Sequence, residues 1–202
     1  KFTLNVPNPV ATIEVEDYGT IKVELYPDKA PNTVANFIRL ANRGVYNGST
    51  FHRTMPNFVI QGGAKNGDAT SSPALSDIMD NIEDSKDLWV KELYSKESTD
   101  EQKKSLLDRA YNIPGEFIAN GYDDNNLKHE EGVISMARSD YSTYGYIEEG
   151  YNSAGCQFFI MTQDNTSLDG LYAAFGKVIE GMDVVKEISN VEVYYRDTEL
   201  KE

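Results

Sequence analysis

The side chains able to carry covalent or metal chemistry are few. The chain of 202 residues holds two histidines, His52 and His129, and one cysteine, Cys156. A single cysteine allows no intrachain disulfide framework and no cysteine-based zinc site. Two histidines leave little room for histidine metal chemistry. The patterns GxSxG, HExxH, P-loop and GxGxxG are all absent. The acidic residues Asp77, Asp80, Glu83, Asp84 and Asp87 lack the spacing and the glycine of an EF-hand loop, and read as a solvated helix face. What stands out is one stretch, Phe51-His52-Arg53-Thr54-Met55-Pro56-Asn57-Phe58-Val59-Ile60-Gln61-Gly62-Gly63. It joins a permanently charged guanidinium and a carboxamide to large apolar side chains.

Composition narrows the field further. Lys and Arg number 19 against 33 Asp and Glu, a net charge of -14. A protein of pI about 4.5 is repelled by phosphate backbones, and no basic stripe offsets this, so nucleic acid is excluded as a partner. No apolar run approaches the roughly 18 residues of a membrane span. With 40% hydrophobic and 26% charged residues the chain is an ordinary globular one. Its length implies a single domain over 1–202 with elaborated loops.

The elements that would position these residues are mostly strands. Ala11 to Tyr26 reads as a hairpin, with Ile13 and Val15, then Ile21, Val23 and Leu25, alternating with polar residues about the turn Asp17-Tyr18-Gly19. From Ala30 to Gly44 the period changes. Val34, Phe37, Ile38 and Ala41 fall on one face of an amphipathic helix that Gly44 terminates. Short β-like runs follow at Ser49 to Arg53, Asn57 to Gln61, Gly132 to Ala137, Gln157 to Thr162 and Ala173 to Val178, and a late helix at Met182 to Ile188. Together these predict a mainly β fold, a closed or nearly closed antiparallel barrel capped by two helices.

Between about 72 and 112 the texture becomes helical. Ile78 and Ile82, and Trp89 and Leu93, are four apart; Ser98-Thr99-Asp100-Glu101 fits a capping box; Leu106, Leu107, Ala110 and Tyr111 supply an apolar face. This helical insertion is either a partner or substrate-gating surface, or an elaboration of the kind surface loops accept at little cost. A second insertion at about 140–151 carries Tyr141, Tyr144, Tyr146 and Tyr151, and is a substrate-contacting flap or a longer loop.

The 51–63 stretch resembles the signature of cyclophilin-type peptidyl-prolyl cis-trans isomerases: FHR, a short turn containing Pro, then F-x-x-QGG. Two further blocks stand in the family's order. One is Gly132 to Ala137 followed by Asn152 to Ile160; the other is Leu168-Asp169-Gly170 with Phe175-Gly176-Lys177-Val178. The resemblance covers Val10 to about Val191 outside the two insertions and implies an eight-stranded closed barrel. The implied activity is rotation about X–Pro bonds, which needs no cofactor, nucleophile or acid–base pair. Matched to the motif, Arg53 is the expected catalytic residue and Gln61 the group that hydrogen-bonds the substrate carbonyl. Phe58, Val59, Phe159 and Leu168 would form the proline pocket, or else be ordinary core side chains. Ala137 and Arg138 would offer backbone groups to the bound peptide, Gln157 would line the neighbouring groove, and Tyr172 would supply a ring and a hydroxyl. His52, pointing away from Arg53, reads as structural, and Cys156 as a small buried residue.

The chain departs from the best-known eukaryotic relatives at several places, one being Arg138, which replaces their common asparagine at a contact made through backbone. Ser167 stands where they have tryptophan and Tyr172 where they have histidine, which makes it look more like bacterial members and implies weak cyclosporin binding. Proline-containing polypeptides are the expected partners and a monomer the expected state. The start at Lys1 and the bacterial-like motif suggest a secreted or lipid-anchored protein with a trimmed N-terminus, the cytoplasm being the alternative. The competing function is a proline-motif binding module with incidental or no catalysis. Retention of Arg53 beside Phe58, Gln61 and Phe159 favours the enzyme, because binding alone does not require the arginine.

Overall fold

Period-two alternation at the N-terminus folds as expected into a hairpin. The computed structural model describes residues 6–65, 71–83, 85, 88–97 and 99–193. β1 (Val10–Val15) pairs antiparallel with β2 (Gly19–Leu25) around a turn in which Asp17 takes φ +66°. The remaining strands are β3 (Arg53–Met55), β4 (Val59–Gly62), β5 (Val133–Met136), β6 (Phe158–Met161) and β7 (Ala174–Glu180). All pairings are antiparallel, in the order β1-β2-β7-β5-β6-β4-β3.

The expected closed eight-stranded barrel is therefore replaced by a curled sheet of seven strands among the described residues, with β1 and β3 at its edges. Two features keep the seam between them open. β3 is only three residues long, because Ser49 to His52, read above as strand, joins no ladder. The late helix packs across β2, β3 and β4, and just beyond it the Val191 carbonyl accepts a hydrogen bond from Thr54 Oγ1 on β3 at 2.6 Å.

α1 (Pro31–Asn42) buries Thr33, Val34, Asn36, Phe37 and Leu40, so its inward stripe lies one position off the expected one and leaves Ala41 exposed. Phe37 anchors it, with ring centroids 5.2 Å from Tyr46, 5.5 Å from Phe158 and 5.2 Å from Phe175. Gly44 ends the helix with φ +72°: its N–H donates to the Ala41 carbonyl and that of Val45 to Leu40, a Schellman closure that needs a left-handed residue. The N-terminus lacks a capping side chain of its own at Ala30. Glu116 supplies the cap from 84 residues away. Its Oε1 accepts from the Asn32 N–H and amide, and its Oε2 from the Thr33 N–H and hydroxyl, at 2.7–2.9 Å.

The segment from 72 to 112 is helical but not peripheral. It holds α2 (Leu88–Lys96), α3 (Asp100–Ser105) and 3-10 turns at Leu75–Asp77 and Leu106–Asp108. Thr99 caps α3, exchanging hydrogen bonds with Gln102; Ser98 of the expected capping box lies outside the described residues. Leu75, Ile78, Ile82, Val90, Leu106 and Tyr111 are buried in the same core as Phe37 and Phe158. Tyr111 donates its hydroxyl to Asn36 of α1 at 2.6 Å. Asp77 bonds Lys65 at 2.7 Å, and Asp80 pairs with Arg43. Asp84, Asp87 and the Trp89 side chain lie outside the description. No group of three metal-ligating residues occurs among the described residues, and no described helix is long and apolar enough to cross a membrane. α4 (Ile147–Tyr151) lies in the tyrosine-rich segment, and α5 (Met182–Ser189) is the late helix.

Candidate active site

Side chains alternate across a strand, so the inner strands serve two apolar clusters. Ile60, Ile134, Phe158, Ile160 and Phe175 face the large core under α1. Val59, Val133, Phe159, Met161 and Ala174 form a smaller cluster, against which Phe58, Leu127, Ala137, Leu168 and Tyr172 pack half-buried. Burial on both faces explains why β6 reads as an unbroken apolar run and β5 as one interrupted only by Ser135.

Over the smaller cluster opens a cavity of about 110 Å³, lined by Arg53, Phe58, Val59, Gln61, Ala137, Arg138, Phe159, Leu168 and Tyr172. Drug-sized pockets run to about 300–1,000 Å³; this one suits a single small ring. A larger hollow of about 350 Å³ lies against α2, but its cations are already paired, Lys96 with Glu92 at 2.8 Å and Arg109 with Glu97 at 2.9 Å. It holds no reacting constellation.

Arg53 and Gln61 reach the cavity as direct partners in the β3–β4 register. The turn between the strands brings Phe58 back: Pro56 precedes Asn57 at φ +58°, and the Phe58 N–H donates to the Met55 carbonyl at 3.1 Å. The Arg53 guanidinium then sits 5.9 Å from the centre of the Phe58 ring, and its Nη1 donates to Gln61 Oε1 at 3.2 Å. Gln61 Nε2 in turn donates to Gln157 Oε1 at 3.1 Å. Gln157 is thus a neighbour of Gln61 and not part of the cavity wall. Beyond it stands His52, whose ring meets Gln157 and the Thr50 backbone, and whose pKa is lowered by burial. His52 therefore joins the far end of this polar row. Two residues beyond Gln61, Gly63 takes φ +79°, where a Cβ would meet the Phe158 ring at 2.8 Å and the Cys156 carbonyl at 2.9 Å.

Not every expected backbone contact is free. The Ala137 N–H donates to the Gln157 carbonyl at 2.9 Å, which removes it as a donor to a peptide. Leu168 is delivered by a 3-10 turn, Thr166–Leu168, that Asn165 caps. Ser167 is exposed there with its hydroxyl bonded to Asn165 at 2.6 Å, and forms no wall of the cavity. Cys156 is buried, and burial raises its thiol pKa, as befits a packing residue.

Sequence reasoning overlooked His129. It is buried beneath the cavity with Nδ1 3.4 Å from Asp169 Oδ1 and Nε2 3.2 Å from Ser135 Oγ. Its ring stacks on Phe159, centroids 6.1 Å apart, and meets the edge of Tyr172 at 6.3 Å. Burial lowers its pKa, and the Asp169 hydrogen bond opposes this without reversing it. No sequence motif marks it, since its partners lie 6 and 40 residues away. Arg138 is the second surprise: expected to act through its backbone, it extends its side chain among the rings of Tyr172, Tyr151 and Phe117.

Comparison with known proteins agrees with this architecture. Residues 10–202 match the family model described as cyclophilin type peptidyl-prolyl cis-trans isomerase/CLD. Peptidyl-prolyl cis-trans isomerase B of Bacillus subtilis is 34% identical over 179 residues, 89% of this chain and 90% of that protein. A peptidyl-prolyl cis-trans isomerase of Synechococcus elongatus is 31% identical over 182 residues, covering 89% and 88%. The crystal structure of a Cryptosporidium parvum cyclophilin-type isomerase in the presence of the dipeptide Ala-Pro superposes with a TM-score of 0.62 at 23% identity, covering 91% of this chain and 87% of that one.

Proposed function

The chain belongs to the cyclophilin-type peptidyl-prolyl cis-trans isomerase family, and on that premise we propose that the cavity beside Arg53 seats the proline ring of an extended polypeptide while the X–Pro bond turns. The observation that carries this reading is the Arg53–Gln61 pair at the rim of a ring-sized cavity whose wall includes Phe58, Val59, Phe159 and Leu168.

An amide resists rotation by about 18–20 kcal/mol because the nitrogen lone pair is delocalised into the carbonyl. At the twisted transition state that delocalisation is lost, and the nitrogen becomes pyramidal and a better hydrogen-bond acceptor. Phe58, Val59, Phe159 and Leu168 hold the ring and exclude water. Gln61 bonds a substrate carbonyl. One Arg53 N–H is occupied by Gln61 at 3.2 Å, and the guanidinium keeps further donors to aim at the prolyl nitrogen. Its charge acts mainly on the rotated state, which is what lowers a barrier instead of merely tightening binding. The Arg138 N–H, which has no intramolecular acceptor among the described residues, pairs with the peptide backbone in the manner of an added strand.

The physiological role is assistance to folding of proline-containing chains by a monomeric single domain, with weak affinity for cyclosporin because Ser167 offers neither indole nor wall. The test is exchange NMR on a short X–Pro peptide with wild type and Arg53→Ala. Removing a transition-state donor costs about 10²–10³-fold in rate; the expected result is that loss in kcat with peptide affinity changed far less. Equal losses in both, or peptide binding without accelerated exchange in the wild type, would leave a proline-binding module.

A further inference from the structure

A guanidinium at the mouth of a binding groove would ordinarily meet a carboxylate or water. Arg138 meets rings. Its guanidinium carbon lies 4.6 Å from the Tyr172 ring centre, 4.9 Å from that of Tyr151 and 5.7 Å from that of Phe117. Among the described residues it has no carboxylate within ion-pair distance, although Asp140, two residues on, lies close enough to feel its charge. Its in-plane donors are fixed instead by carbonyls: Nε donates to Leu171 O at 2.9 Å and Nη1 to Ser139 O at 3.1 Å. A guanidinium bonded through Nε and Nη1 to backbone carbonyls and lying over three rings is restrained from several sides.

The three rings come from separate places. Tyr172 is a wall of the cavity and packs edge-on to Phe159, centroids 5.5 Å apart. Tyr151 belongs to α4 in the tyrosine-rich 140–151 segment. Phe117 follows the Glu116 cap of α1 and meets Tyr151 edge-on at 5.2 Å. Leu171, whose carbonyl Arg138 grips, is the residue next to Tyr172 in the chain.

We propose that the Arg138 side chain is a positioning residue that brackets Tyr172 in place and makes the shape of the proline pocket depend on the conformation of the 140–151 segment. The proposal rests on the isomerase reading of the cavity. It turns the second insertion from a longer loop into a determinant of peptide affinity: whatever moves Tyr151 moves Arg138, and through it the wall on which the substrate packs. Because the wall contacts the ring equally before and during rotation, loosening it weakens substrate binding more than turnover.

The test is a double-mutant cycle on isomerisation of an Ala-Pro-containing peptide, with Arg138→Ala, Tyr151→Ala and the pair, and with Arg138→Lys beside them. From the usual strength of a cation–aromatic contact, each alanine variant is expected to raise KM about 2- to 30-fold with kcat nearly unchanged. The double variant should be no worse than the more affected single one. Arg138→Lys should resemble Arg138→Ala, since an ammonium has neither the plane nor the fork. Additive effects in the cycle, or recovery of wild-type KM by lysine, would overturn the bracket. Should the Arg138 variants fail to fold, Tyr151→Ala alone decides: unchanged KM and unchanged Tyr172 ring resonances refute the proposal. An inactive wild type would instead refute the isomerase reading itself.

Discussion

Arg53 on β3 and Gln61 on β4 are opposed across the ladder, with Arg53 Nη1 donating to Gln61 Oε1 at 3.2 Å. A cross-strand pair of this kind fixes the plane of the guanidinium before substrate arrives. Gln61 is itself held at 3.1 Å by Gln157, which lies outside the cavity wall, so Arg53 and Gln61 stand at its rim as a braced polar pair.

The geometry makes the fork matter as well as the charge. Arg53→Lys keeps a cation but cannot serve Gln61 and the prolyl nitrogen with one rigid group. A charge-assisted hydrogen bond is worth about 1.5–3 kcal/mol, so kcat should fall about 10- to 150-fold. Single-turnover or exchange kinetics will read this, and a lysine variant as fast as wild type would show that charge alone suffices.

Ser167 predicts a pharmacological difference. It is exposed and its hydroxyl is engaged with Asn165, so it adds no donor or wall for a bulky cyclic ligand. Cyclosporin should inhibit only above the low-nanomolar range, and Ser167→Trp should tighten it by about tenfold or more, about 1.4 kcal/mol. Low-nanomolar inhibition of the wild type in a titration would contradict this.

The Glu116 cap predicts a stability defect at the start of α1. Glu116→Gln keeps the shape but places an amide NH₂ against N–H donors and removes the charge at the start of α1. Loss of charged hydrogen bonds at a buried site should cost about 1–3 kcal/mol, visible as a lower urea midpoint with an unchanged slope.

The helical insertion predicts a cost of the same order. Leu106 is fully buried in the core shared with α1 and β6. Leu106→Ala should destabilise the whole chain by about 2–5 kcal/mol in a single transition. A separate early transition for the insertion would mean that it folds apart from the sheet.

Stability should also respond to pH through His129. Burial lowers its folded pKa below the ordinary value of 6.5, so the unfolded chain binds the extra proton more readily. Its contribution is complete above about pH 6.5 and is lost as pH falls from there toward the lowered folded pKa. His52, lowered by burial too, acts in the same sense. Urea unfolding between pH 7.5 and 5 (about one unit above the ordinary histidine pKa and somewhat more below) should show this decline. His129→Gln should flatten part of it, and an unchanged slope would assign it elsewhere.

What the sequence determined by itself is local and periodic. Alternation placed the first hairpin, a four-residue rhythm placed α1, and the contiguous run from Phe51 to Gly63 put a guanidinium, an aromatic ring, a carboxamide and two glycines within one hairpin's reach. These signals survive in a string because the interacting residues are neighbours in it. The tertiary structure alone decided which face of β4 and β6 lines a cavity and which enters the core, since strands buried on both faces lose the alternation that would reveal it. It alone joined Glu116 to a helix 84 residues earlier, His129 to Asp169 and Ser135, and Arg138 to three rings from three segments. Each of these groups finds partners on other elements, brought to it by how the sheet curls, which no local period records.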